Sequence, residues 1–113
     1  MSKQKYLEVD IKGYKWKVFR QTDVAFKRKH GTKVYHILYP EDREIYYNSK
    51  YFTFDYVVHE VNHAFVWSTD TEHSNDLSND DIEDLCVTVF SKNYFEIGRI
   101  AKEILNFFNG DFT

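Results

Sequence analysis

The chain has 113 residues, 42% of them hydrophobic and 19% aromatic, which suits one domain spanning 1–113 and leaves too little length for two separate cores. A single cysteine, Cys86, excludes an intrachain disulfide and a thiolate zinc knot. The formal charge of −3 supplies no overall field for nucleic acid, which is not expected as a partner although residues 12–29 are locally basic.

The opening MSKQKYLEVD carries charges where a signal peptide needs an apolar stretch, and no run approaches the roughly 20 apolar residues of a membrane span. With one unpaired cysteine, a reducing cytoplasmic setting without a membrane is the expectation.

In YLEVDI, Leu7, Val9 and Ile11 alternate with Glu8 and Asp10. Gly13 then offers a turn before KWKVF, where Trp16 and Val18 alternate with lysines, so the two runs read as a strand pair. Residues 22–30 fit a short helix capped by Thr22 or Asp23 and stopped at Gly31. VYHILY (34–39) and REIYY (43–47) flank the turn-prone Pro40-Glu41-Asp42 and predict a second hairpin.

The period then changes. Thr53 or Asp55 can cap a helix running to about Ser68, and 69–80 is a polar, acidic loop without the spacing of a calcium-binding loop. Ser78 opens a helix over about 79–91, with Ile82, Leu85, Cys86 and Val89 on one face. A last helix, about 93–108, carries Phe95, Ile97, Ile100, Ile104, Leu105 and Phe108. Strands followed by helices make this an α+β domain.

Within the 53–68 helix stands His59-Glu60-Val61-Asn62-His63. At about 100° per residue, with His59 at zero, His63 falls near 40°, Tyr56 near 60°, Trp67 near 80° and Glu60 near 100°, while Val57, Val58, Val61, Ala64 and Phe65 fall between about 140° and 260°. The apolar stripe and the histidines are therefore adjacent and distinct faces. Two imidazoles at i and i+4 project from one side of a helix and suit a single Zn²⁺, with room for a third protein ligand and a water that the ion would acidify. The carboxylate one residue after the first histidine points beside the ion, where it can take a proton from that water and pass it to a leaving amine.

The third ligand has two candidates: Glu83, at the edge of the buried face of the following helix, and His73, in the loop TEHSND. The extended metzincin spacing is absent, because Val66 and Thr69 occupy the positions of its glycine and third histidine. His30 and His36 lack a partner motif and read as surface or strand histidines. Cys86 reads as a small core residue, and Trp67 as a wall of the cleft. Tyr46 and Tyr47 are packing candidates, whereas Tyr56 shares the site face.

From Arg43 to Phe90, REIYY, VVHEVNHAFVW and LSNDDIEDLCVTVF together resemble the small zincin-type metallopeptidases encoded in bacteriophages, related to the ImmA/IrrE proteins. In that group a strand precedes an HExxHA helix, and a V-E-x-L-like segment on a later helix supplies a glutamate ligand. Ile82-Glu83-Asp84-Leu85 matches that segment, which implies Glu83. The stretch from the motif to His73 also resembles the SprT group, although Ser74 stands where a His-Gly pair would put glycine.

Glu83 is preferred because a helix positions a ligand more rigidly than a loop tip. The resemblance implies a minimal zincin-like fold and a zinc metallopeptidase in which His59, His63 and Glu83 hold one Zn²⁺ and Glu60 is the general base. It also implies a peptide or protein substrate extended along an edge strand, for which residues 43–48 are the candidate. The alternative is a catalytically weak or inactive zincin-fold phage protein that binds a host or regulatory protein partner.

Overall fold

The computed structural model describes residues 5–69 and 79–109, without the side chains of residues 69, 79–89 and 109. It is an α+β domain with four strands, β1 (Tyr6–Ile11), β2 (Tyr14–Gln21), β3 (His36–Tyr39) and β4 (Glu44–Asn48). Among the described residues the α-helices α1 (Asp23–His30), α2 (Phe54–Thr69) and α3 (Asn79–Asn109) accompany them.

Both expected hairpins form. Between β1 and β2 the chain turns on Lys12 (φ 55°) and Gly13 (φ 87°). Two successive positive φ angles suit a tight turn matching strand twist, and Asp10 Oδ1 accepts from the Gly13 N–H at 3.0 Å. β3 and β4 pair antiparallel, with His36 opposite Tyr47 and Leu38 opposite Ile45. Their connection places Arg43 at φ 54° and closes with the Arg43 N–H donating to the Pro40 carbonyl at 3.3 Å.

The sheet order is β1-β2-β4-β3. β4 lies parallel to β2, with Val18 opposite Ile45, so α1 serves as the crossover between two hairpins that join into one mixed sheet. β4 is consequently an interior strand and not the expected edge. The edge beside the second hairpin is β3.

Alternation sorts the strands into two faces. Val9, Ile11, Trp16, Val18, Ile45 and Tyr47 pack with Val57, Val61, Ala64, Phe65 and Val66 of α2 and with Ile97, Ile100, Ala101, Ile104 and Phe108 of α3. Each valine, isoleucine or phenylalanine among them, fully buried, contributes roughly 1.5–3 kcal/mol before the entropy of ordering it is subtracted. On the other face Phe19 and Tyr46 stack with ring centroids 4.6 Å apart and cluster with Phe26 of α1. α1 starts where Thr22 Oγ1 accepts from the Ala25 N–H at 3.2 Å and ends where Gly31, at φ 90°, donates to the Lys27 carbonyl.

Within α3 two helical segments meet at a kink at Asn93 (φ −125°, ψ 17°), so the break expected between 79–91 and 93–108 falls where the backbone leaves helical geometry. Its core stripe runs through Ile97, Ile100, Ile104 and Phe108, but Phe95 is 79% exposed and stacks on Tyr94. Phe95 precedes Ile97 by two residues, about 200° around the helix, so it cannot share that stripe. The expected inward residues Ile82, Leu85, Cys86 and Val89 have side chains outside the described set. No helix among the described residues is long and apolar enough to cross a membrane.

Candidate metal centre

α2 lies across the sheet with its start tied to β4. The buried hydroxyl of Tyr47 donates to the Val57 carbonyl at 3.0 Å, while the Val57 N–H donates to the Thr53 carbonyl. Near the other end, the indole N–H of Trp16 donates to Ser68 Oγ at 2.9 Å. With both ends fixed and Val57, Val61, Ala64 and Phe65 buried, rotation of the helix is set by the core. The histidine face is thereby turned off the core stripe, toward the β3 side of the sheet.

His59 and His63 converge. Their Nε2 atoms stand 3.1 Å apart, with ring planes at 70°. Two nitrogens each about 2.0–2.1 Å from one tetrahedral ion would stand about 3.3–3.4 Å apart, so a few tenths of an ångström of side-chain adjustment suffices for both to ligate one zinc. Glu60 joins the pair: one ligand atom from each of the three residues lies within 4.8 Å of the others, and Glu60 Oε1 is 4.0 Å from His59 Nε2. Neutral imidazoles with a nearby carboxylate are a donor set that fits zinc.

Glu60 differs from the sequence expectation in its surroundings. Its side chain is only 8% exposed, whereas that of His59 is 52% exposed. At about 100° on the wheel Glu60 borders the buried Ala64, and β3 covers that border. The strand supplies a residue that motif reasoning passed over: His36, on the face of β3 that looks toward α2, puts Nδ1 2.7 Å from Glu60 Oε1. The oxygen lies off the ring N–H direction, making this a close electrostatic contact and not an aligned hydrogen bond. The His36 ring is also 5.4 Å from the ring of His59 and 5.2 Å from that of Tyr56.

The signal that could have found His36 is alternation together with the hairpin. Both place it level with Leu38 and opposite Tyr47, on the core side of a strand. Burial, and after it the charge of Glu60, pushes the Tyr47 hydroxyl well above the ordinary tyrosine range, which keeps it a donor to the helix.

Tyr56 is half-buried and contacts the site through His36. Tyr35, which is 49% exposed, stacks on Tyr51 at 4.3 Å and meets Tyr56 edge-on at 6.0 Å. Trp67 walls a cavity of about 40 Å³ with Tyr14, Trp16, Pro40, Arg43 and Ser68, near the C-terminal end of α2.

Of the two candidates for third ligand, Glu83 lies on the N-terminal half of α3 with its side chain outside the described set, and His73 lies outside the described residues altogether. His30 sits behind the sheet. Its Nε2 is 2.9 Å from Gln21 Oε1, and its Nδ1 is 2.7 Å from the Tyr39 hydroxyl. Because a carboxamide oxygen only accepts, Nε2 carries the proton and Nδ1 accepts from Tyr39. The five lysines of 12–29 are each engaged: Lys12 over Phe65, Lys15 with Glu8, Lys17 over Tyr6, Lys27 with Asp23, and Lys29 with the Tyr46 hydroxyl.

No family model, curated protein or solved structure matches the chain.

Proposed function

We propose that the chain is a minimal zincin-type zinc metallopeptidase of the cytoplasm, akin to the small phage-encoded enzymes related to ImmA/IrrE. The observation that supports this best is the convergence of His59 and His63 to 3.1 Å beside a buried carboxylate contributed by the residue between them. Under this reading His59, His63 and Glu83 hold the ion. Zinc, when bound, would polarise the scissile carbonyl and acidify a water.

Glu60 takes the proton from the attacking water and delivers it to the leaving nitrogen. Its burial against β3 restricts the carboxylate to one orientation beside the histidines and limits bulk water there. An extended peptide pairs with the outer edge of β3, which no described strand covers, and so passes the histidine face of α2.

The test combines metal analysis with hydrolysis of denatured casein. Wild type purified without added metal should carry close to one zinc, and Glu60→Gln should keep the zinc while losing about 10²–10⁴-fold in rate. Wild type that is metal-free and takes up no zinc from an equimolar solution rules the reading out.

A second reading is a metal-stabilised or inactive zincin-fold protein that binds a host or regulatory protein. It draws on the exposed aromatic rings of Tyr35 and Phe54, with the half-buried Tyr51 stacked on Tyr35, beside the site. Zinc in a closed coordination shell, or casein hydrolysis unchanged in Glu60→Gln, would favour it.

A further inference from the structure

We infer that His36 is the positioning residue for Glu60, holding the carboxylate that the peptidase reading treats as the general base. The inference rests on that reading for its catalytic meaning, but its geometry stands apart from it. His36 Nδ1 and Glu60 Oε1 come from different elements, β3 and α2. They stand 2.7 Å apart, with side chains only 14% and 8% exposed. The same Oε1 is the oxygen that lies 4.0 Å from His59 Nε2, so whatever fixes it to His36 also fixes its approach to the histidine pair.

Both partners are anchored. Tyr47 lies opposite His36 in the sheet, with ring centroids 6.3 Å apart, and its hydroxyl holds the first turn of α2 through Val57. The Tyr56 ring closes the other side of the imidazole at 5.2 Å. Strand and helix are therefore locked at the point where the two side chains meet.

The chemistry of the contact assigns a tautomer. An anionic oxygen only 2.7 Å away disfavours an electron-rich bare Nδ1 and favours the tautomer that carries its hydrogen there. That N–H is not aligned with the oxygen in the resting rotamer. The imidazole χ2 torsion is soft, so rotation about it is the adjustment that can bring the two into line. An accepting carboxylate held by such a donor keeps its second oxygen free for the water, whereas an unheld one samples several rotamers. Loss of an outer partner of this kind typically costs about 10–100-fold in activity.

The experiment has two arms. In casein hydrolysis, His36→Ala should lower kcat by about 10–100-fold with KM and zinc content unchanged. His36→Asn, whose amide nitrogen falls where Nδ1 stood, should recover most of the loss, and His36→Gln, with its amide one bond farther out, should recover less. A merely structural role would not rank Asn above Gln.

The second arm needs no activity: long-range ¹H–¹⁵N spectra of the imidazoles in metal-free protein should show His36 protonated at Nδ1. A wild-type chain that binds no zinc and cleaves nothing defeats the peptidase reading but leaves this arm to decide the contact. His36 protonated at Nε2 alone, or His36→Ala with zinc bound and full kcat, overturns the inference while leaving the peptidase reading intact.

Discussion

Adding zinc should raise the unfolding temperature of the protein, and the size of the rise can be worked out in advance. A ligand at 100 times its dissociation constant stabilises the folded state by about 2.7 kcal/mol. For 113 residues, at about 2.1 cal/mol/K each, the unfolding entropy near the midpoint is roughly 240 cal/mol/K. The quotient is a shift of about 11 °C between chelator and saturating zinc, less whatever zinc the unfolded histidines capture. Because the Nε2 atoms stand 3.1 Å apart in the folded protein, against about 3.3–3.4 Å in a tetrahedral complex, little of that stabilisation is lost to rearrangement. Differential scanning calorimetry with EDTA and then with zinc measures it directly. His59→Ala and His63→Ala should each remove most of the shift, while Glu60→Gln should keep it. A wild-type shift below about 2 °C, or an equal shift in His59→Ala, would refute the site.

Two further expectations concern the scaffold. Ser68→Ala removes the acceptor of the Trp16 indole N–H; with Trp16 only 1% exposed, an orphaned donor costs about 1–3 kcal/mol. The adjacent cavity of about 40 Å³ can admit a water and pull the cost toward the lower end. Ser68→Thr should restore the urea midpoint, and an unchanged midpoint in Ser68→Ala would show that the hydrogen bond contributes nothing. Burial, and then the neighbouring Lys29, hold His30 below its ordinary value of 6.5. Between that lowered value and 6.5 the unfolded chain binds more protons, so the contribution of His30 is intact above 6.5 and is lost as the pH falls. Urea midpoints at about pH 7.5 and about pH 5.5 should therefore differ less in His30→Gln than in wild type; equal differences would contradict the assignment.

Much of this was legible from local pattern. Alternation located the strands, Thr22 and Gly31 bounded α1, and the separation of valines from histidines oriented α2. What escaped depended on how distant segments meet. The second hairpin inserts so that β4, not β3, lies against β2, and a parallel pairing across α1 leaves no trace in either strand alone. The interior position of β4 and the edge position of β3 follow from that choice. His36 was passed over for the same reason: alternation puts it on the inward face, but only the tertiary arrangement shows that a carboxylate stands above it. Glu60 read as part of an open face because the wheel places it at a border, and the overlying strand decides the border. Phe95 was misassigned within a single helix, by counting it with a stripe from which it is half a turn removed.

The turn at Pro40–Arg43 carries a consequence out of proportion to its place on the surface. It sets the phase of β3, whose even-numbered residues face α2 and whose odd-numbered residues Ile37 and Tyr39 pack with the Phe19, Phe26 and Tyr46 cluster. Slipping the strand by one residue would exchange His36 for a neighbour of the opposite face, bringing an apolar or phenolic group against the buried Glu60 carboxylate and sending the imidazole to the α1 side. The helix motif would be untouched, and its histidines would still converge. The meeting of His36 with Glu60 thus depends on counting residues in a four-residue connection, held in phase by a non-glycine backbone at positive φ.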